Sequence, residues 1–224
     1  MRNYGLPYKG SKNSIVPFLI DTFPKKENFY DLFAGGCAVT HGALLSGKYK
    51  HIYFNDINGG VTQLFLDAIN GKFKNEKRWI SREDFFALKD KDPYVKFCWS
   101  FGNGGDTYLY GREIEMYKKA CHFAIVFDEW ADLEKLCPEV SENCKKALDK
   151  KTDIMQRRLS FGPAVVAELK RLGNWQVVEN NPLYRACHFK SGKNEQTFKL
   201  ESLERLESLE SLQSLERLER LQSL

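Results

Sequence analysis

Phe29-Tyr30-Asp31-Leu32-Phe33-Ala34-Gly35-Gly36-Cys37, followed by His51-Ile52-Tyr53-Phe54-Asn55-Asp56, is the stretch that decides the fold. The run from Phe29 to Phe33 has the length and aromatic content of a short buried strand. It enters two glycines, which permit a tight turn that a Cβ would obstruct. Small residues from Cys37 to Ser46 then read as a helix with Gly47 as its stop, and His51 to Asp56 reads as a second strand. Strand, glycine turn, helix, strand is the opening of a parallel α/β sheet. Upstream, Ser11 is placed to cap a helix whose Ile15, Phe18, Leu19 and Thr22 recur at helical spacing. This α/β segment spans residues 1–58.

Beyond it, residues 59–199 read as mostly helical and rich in Lys and Arg, with pairs at Lys145-Lys146, Lys150-Lys151, Arg157-Arg158 and Lys170-Arg171. A glycine-rich loop, Phe101-Gly102-Asn103-Gly104-Gly105, interrupts them. In residues 200–224 leucine recurs every third position. On an α-helix that period drifts by about 60° per step, so the leucines visit every face and form no coiled-coil seam. A helical or poorly ordered repeat that links or pads is the expectation.

The chain of 224 residues can bury one good core, or one core with a smaller lobe. Hydrophobic residues at 42% and charged residues at 29% fit a soluble globular protein. No apolar run reaches membrane-spanning length and the N-terminus lacks a signal-peptide stretch, so a cytoplasmic protein is expected. Six Glu and three Arg give the leucine tail −3, which leaves +7 for the remainder of a chain of net charge +4. A basic body is compatible with a polyanionic partner. The six cysteines, Cys37, Cys98, Cys121, Cys137, Cys144 and Cys187, contain no C-x-x-C pair. Neighbours such as Cys121-His122 and Cys187-His188 rarely ligate one metal, so reduced thiols and no metal site are expected.

A nucleotide-type site needs a tight glycine turn after the first strand, where backbone can approach a ligand. It also needs an acid near the end of the next strand to take ribose hydroxyls. Gly35-Gly36 supplies the turn and Asp56, 20 residues after Gly36, the acid. The same residues also admit a plainer account, a packing turn and a helix-capping aspartate.

Three elements in this order and spacing narrow the choice: Pro7-Tyr8-Lys9-Gly10-Ser11-Lys12, then Asp31 to Val39, then Phe54-Asn55-Asp56-Ile57-Asn58. Together they resemble the Dam-like (D12 class) adenine-specific DNA methyltransferases. The resemblance implies S-adenosylmethionine as cofactor, with Tyr8 and Lys12 in an aromatic-x-Gly-x-Lys element folded over it. It further implies Asp31 as the acid before the glycine loop, Gly35 and Gly36 as that loop, Asp56 on the ribose and Ile57 beside the adenine ring. Leu32 stands where a proline is usual and Cys37 where a third glycine is common.

The implied fold is α/β, an incomplete Rossmann-like methyltransferase sheet with a mostly helical target-recognition insertion and a Leu-repeat tail. The implied partner is double-stranded DNA, in the cytoplasm of a bacterial or phage-infected cell. A restriction-modification system, a phage and a host regulatory enzyme all remain open as the setting.

An enzyme acting on a base takes it out of the stack and holds the gap open. Trp99 to Tyr108 resembles the family's aromatic-Asn-Gly loop, which enters the duplex. Phe101, Asn103, Gly104 and Tyr108 are the candidate DNA contacts there, with Arg112 and Lys118-Lys119 available for phosphates. A surface loop with Phe101 tucked into the core is the alternative.

Methyl transfer to an exocyclic amine needs a side-chain oxygen and a carbonyl to hold the amine, and an aromatic ring to stack on the flipped base. The family supplies these with Asp-Pro-Pro-Tyr or close variants. Asp92-Pro93-Tyr94 lacks a proline and precedes the DNA loop, so a helix-flanking turn explains it. Asn181-Pro182-Leu183-Tyr184 follows a strand-like Trp175-Gln176-Val177-Val178, but Leu183 replaces the second proline. The expectation is therefore that the true tetrapeptide lies beyond Leu224, with catalytic residues unassigned. A catalytically silent DNA- or cofactor-binding relative and an unrelated nucleotide-binding α/β protein are the competing readings.

Overall fold

The strand, turn, helix, strand order forms β1 (Asn28–Asp31), α2 (Ala38–Ser46) and β2 (His51–Phe54), preceded by α1 (Val16–Thr22), in a computed structural model that describes residues 3–173, 181–187 and 218–220. β1 and β2 run parallel, with Asn28 opposite His51 and Asp31 opposite Phe54. The chain therefore leaves both strands at the same sheet end, which is where parallel α/β sheets place their ligands. Gly47 ends α2 at φ 63, as a left-handed helix stop.

β1 is not the buried strand its apolar run predicts. Alternation sends Phe29 towards Tyr49, against the core formed by Ala43 and Ile52, and Tyr30 to the opposite face. There Tyr30 stacks on Tyr53, with ring centroids 4.8 Å apart, and stays exposed. Leu32 and Phe33, past the strand end, are exposed as well, Phe33 at 90%.

The first helix also starts differently. Ser11 does not cap it; a 3₁₀ turn at Asn13–Ile15 comes first and Ile15 takes the cap position. This shifts the apolar phase, so Val16 is buried while Ile15 and Phe18 are exposed. α1 meets α2 at Gly42, where an added Cβ would lie 2.3 Å from Val16 Cγ1 and 3.0 Å from Ile20 Cγ1. The missing side chain is what lets the two helices approach.

The described residues fall into two compact units. The first contains 3–76, 80–109 and 218–220: the sheet, α1, α2, α3 (Gly59–Ile69), α4 (Arg82–Leu88) and α5 (Pro93–Cys98). Ser81 opens α4 with a reciprocal capping box to Asp84. β3 (Leu218–Arg220) lies parallel to β2, Ile52 opposite Leu218, giving the order β1-β2-β3. These three residues are strand where a helical or poorly ordered repeat is predicted; the rest of 200–224 lies outside the described residues.

The second unit holds 77–79, 110–173 and 181–187 and is helical: α6 (Arg112–Val126), α7 (Ala131–Leu136), α8 (Pro138–Leu148), α9 (Ile154–Leu172) and α10 (Pro182–Cys187). Trp130, Leu133, Val140, Leu148, Phe161 and Leu183 form its core. Several of its basic residues work inside it. Arg157 donates to Ala124 O at 2.8 Å and Ile125 O at 2.6 Å, carbonyls at the end of α6, and to Asp128 at 2.6 Å. A cation at a helix C-terminus complements the dipole. Lys145 pairs with Glu134 and Lys146 with Glu142. Among the described residues no helix is long and apolar enough to cross a membrane.

Candidate functional site

The turn between β1 and α2 needs left-handed backbone, and the sequence provides it at Gly35, φ 50, and at Cys37, φ 59. Cys37 occupies this region without glycine's freedom, an uncommon state for a residue with a Cβ. Asp56, just past β2, closes the turn: Gly35 N–H donates to its Oδ2 at 2.8 Å. Its Oδ1 accepts from Asn58 N–H at 2.9 Å, an Asx turn that leads into α3. Asp56 is thus a local turn former and a clamp on the glycine loop at once. Ile57 beside it projects fully into solvent.

Tyr8 lies over this turn. A Cβ built at Gly36 would sit 2.6 Å from Tyr8 Cβ and 2.9 Å from Leu6 O, and one at Gly35 would touch the Tyr8 ring at 3.4 Å. Gly36 is therefore required by the segment that crosses it, and Gly35 is favoured by its left-handed φ. The Tyr8 ring also meets Phe97 edge-on, with ring centroids 6.0 Å apart. Burial, and then the charge of Asp56, raise the Tyr8 phenol above its usual value. Lys12 is exposed at the start of the 3₁₀ turn, and no ion pair joins it to Asp31 or Asp56 among the described residues.

Asp31 ends β1 half-buried, its Oδ2 accepting from Thr40 Oγ1 at 2.7 Å. Burial raises its pKa; hydrogen bonds from Thr40 and Phe33 oppose this, and the charge of Asp56 adds to it. The Cys37 thiol is held well above its usual range by burial and by the same two carboxylates. The turn is therefore a region of negative potential set by Asp31 and Asp56, which suits a cationic ligand.

The structure brings Tyr8, Asp31, Gly35, Gly36 and Asp56 to one sheet end. Thr40 and His41 were missed by sequence reasoning. Thr40 holds Asp31, and His41 Nδ1 accepts from Gly5 N–H at 2.9 Å. Their signal was the polar pair Thr40-His41 inside the small apolar helix Ala38-Val39-Thr40-His41-Gly42-Ala43, one turn past the glycines.

The second candidate segment, still in the first unit, is a short hairpin. Ser100 and Tyr108 bridge antiparallel, and Phe101 N–H donates to Thr107 O at 2.9 Å. Gly102 at φ 61, Asn103 at φ 58 and Gly105 at φ 84 turn the chain. Phe101 stands out at 68% exposure, so it is not tucked into the core. Asn103 and Tyr108, by contrast, point inward: Asn103 Nδ2 donates to Phe97 O at 3.1 Å and Tyr108 OH to Ile80 O at 2.7 Å. Both are buried, so they build the loop rather than face outward as DNA contacts would. Gly104 is exposed on the hairpin, and Arg112 is exposed at the start of α6 in the second unit.

The two Pro-Tyr sequences are both helix starts. Asp92 Oδ1 accepts from Tyr94 N–H at 2.9 Å and Val95 N–H at 3.4 Å, and Tyr94 is buried. Asn181 Oδ1 accepts from Leu183 N–H at 2.8 Å and Tyr184 N–H at 3.3 Å, and Tyr184, 5% exposed, belongs to the helical core. Capping occupies the side-chain oxygen and burial removes the ring from any ligand. Trp175 to Val178, the strand expected ahead of the second of these, lies outside the described residues.

No solved structure matches the chain. The family model for D12 class N6 adenine-specific DNA methyltransferases matches residues 8–127, from Tyr8 across the glycine turn and hairpin to the end of α6.

Proposed function

The chain belongs to the D12 class N6 adenine-specific DNA methyltransferases, and from that premise we propose that its first unit binds S-adenosylmethionine at the β1–α2 turn for methylation of the exocyclic amine of adenine in double-stranded DNA. The observation that carries the reading is the convergence of Tyr8, the Gly35-Gly36 turn, Asp31 and Asp56 at one sheet end. The residues fit the cofactor. The carboxylates of Asp31 and Asp56 give the turn a negative potential that suits a sulfonium and an ammonium group.

When bound, S-adenosylmethionine supplies an electrophilic methyl group on its sulfonium. In the proposal Asp56 accepts from ribose hydroxyls with the lone pairs left by Gly35 and Asn58. The exposed Ile57 covers the adenine ring, Asp31 offsets the cationic portion, and Tyr8 shields the turn from water. Lys12 sits on the rim of this element. Residues 1–58 take the cofactor role in an incomplete Rossmann-like sheet, and 59–199 take DNA recognition. Phe101 is the wedge for the opened base step, with Gly104 allowing close backbone approach. Asn103 and Tyr108 hold the hairpin rigid, and Arg112 holds phosphate.

Calorimetry with S-adenosylhomocysteine tests the cofactor reading. The chain is expected to bind it, and Asp56→Ala to weaken it at least tenfold, as when a charged hydrogen-bond acceptor is removed (about 1.5–3 kcal/mol). No binding, or binding indifferent to Asp56→Ala, would sink it.

A specific observation favours a second reading, that of a relative which binds cofactor or DNA without transferring methyl groups. Asn181 and Tyr184, like Asp92 and Tyr94, are engaged as helix caps and core anchors. Labelled methyl incorporation into duplex DNA separates the two: incorporation supports transfer, and intact S-adenosylhomocysteine binding without incorporation supports the silent relative.

A further inference from the structure

We propose that His41 is a positioning residue, a latch on α2 that holds the Gly5–Tyr8 segment closed over the glycine turn before any ligand arrives. The inference rests on the cofactor reading above, because the segment it holds is the one that carries Tyr8.

His41 lies one helical turn into α2, 2% exposed, between Phe65 at 5.9 Å and the edge of Tyr4 at 5.9 Å. Gly5 N–H reaches its Nδ1 at 2.9 Å across 36 residues. A backbone N–H can only donate, so Nδ1 must be the bare nitrogen and the neutral ring carries its proton on Nε2. The next residue makes a second tie, Leu6 N–H to Gly36 O at 2.6 Å. The fit leaves no slack. Gly5 stands at φ 64, and a Cβ there would lie 2.3 Å from Gly36 O and 2.6 Å from Ala38 N.

These two ties set the path of the backbone that delivers Tyr8 onto Gly36. The neighbour of His41 has a matching duty, since Thr40 holds Asp31 at 2.7 Å. Two consecutive side chains of one helix therefore fix two separate walls of the site, the aromatic segment through His41 and the acid through Thr40. The helix begins at the glycine turn itself, with His41 N–H bonded to Cys37 O at 2.9 Å, so turn, acid and segment share one rigid support. Such preorganisation lowers the ordering cost of binding.

The experiment measures S-adenosylhomocysteine affinity and amide hydrogen exchange on the full chain. His41→Leu keeps bulk, removes the acceptor and leaves Gly5 N–H unpaired. It is expected to weaken binding about tenfold and to speed exchange at Gly5 and Leu6 while α2 amides keep their protection. His41→Asn, whose Oδ1 can take the place of Nδ1, is expected to recover affinity to within about threefold. A residue that merely filled the core would lower the melting temperature of both variants and show no such rescue.

Unchanged affinity and unchanged Gly5 and Leu6 exchange in His41→Leu would overturn the latch. Should that variant not fold, Gly5→Ala displaces the same segment from the other side, because its Cβ would meet Gly36 O and Ala38 at the start of α2. The same loss is expected there, and wild-type affinity in Gly5→Ala overturns the proposal. A wild-type chain that binds no S-adenosylhomocysteine overturns the cofactor reading instead, while the exchange of Gly5 and Leu6 still decides whether His41 holds the segment.

Discussion

Asp31 carries a carboxyl into partial burial beside the like charge of Asp56, and the hydroxyl of Thr40 compensates it at 2.7 Å. Its proton affinity is therefore higher in the folded chain than in the unfolded one. The stabilising contribution of such a group is present below the ordinary aspartate value and is lost as pH rises through the folded value. At neutral pH the ionised carboxylate works against folding. Asp31→Asn, which still accepts from Thr40, is expected to melt at a higher temperature than wild type at pH 7, with the advantage shrinking as the pH falls through the Asp31 titration. Scanning calorimetry at several pH values checks this, and a melting difference independent of pH would assign the effect to something other than the charge. The same substitution is expected to weaken cofactor binding, because a cation near Asp31 is stabilised by the ionised form. The sequence placed Asp31 at a strand end but said nothing of Thr40. Its field depends on a hydroxyl brought back by one helical turn.

At the scale of elements, the hairpin of residues 99–108 separates two duties that its sequence presents together. Phe101 projects outward, while the Asn103 amide and the Tyr108 hydroxyl bind main-chain carbonyls inside. Phe101→Ala is expected to weaken duplex binding with little change in melting temperature. Asn103→Ala is expected to destabilise the first unit by about 1–3 kcal/mol, from a buried carbonyl left unpaired and a strained φ. Mobility-shift titration paired with thermal melts distinguishes them; an Asn103→Ala chain of wild-type stability with lost DNA affinity would return Asn103 to the DNA-facing side. The helices show the converse lesson. Asp92-Pro93 and Asn181-Pro182 each satisfy two local conditions, an acceptor at the cap and a proline in the first turn. Nothing in four residues distinguishes a helix start from a ligand-holding turn, because both need a side-chain oxygen, a fixed φ and an aromatic ring.

Across the whole molecule, the chain forms two units whose cores are built from different helices, one around the parallel sheet and one from α6 to α10. Tyr184 is buried in the second, and removing a buried ring there typically costs about 3–5 kcal/mol. Tyr184→Ala is therefore expected to lower hydrogen-exchange protection through α6, α8 and α9 while leaving S-adenosylhomocysteine binding by the first unit intact. Loss of methyl transfer with full protection retained would instead identify Tyr184 as a ring that stacks on substrate.

The sequence by itself determined the order strand, glycine turn, helix, strand, the placement of Asp56 after the second strand, and membership of the family. Each of these is local: a periodicity, a left-handed turn that glycine favours, or residues at fixed spacing. It did not determine which face of β1 is covered, that Val16 rather than Phe18 packs on α2, that Asn103 and Tyr108 point inward, or that Thr40 bonds Asp31 and His41 bonds Gly5. Those outcomes depend on groups distant along the chain, such as Gly42 under Val16, Phe97 O beside Asn103 and Gly5 against His41. Side-chain direction and hydrogen-bond partners are fixed when such groups pack together, and only the tertiary structure can supply them.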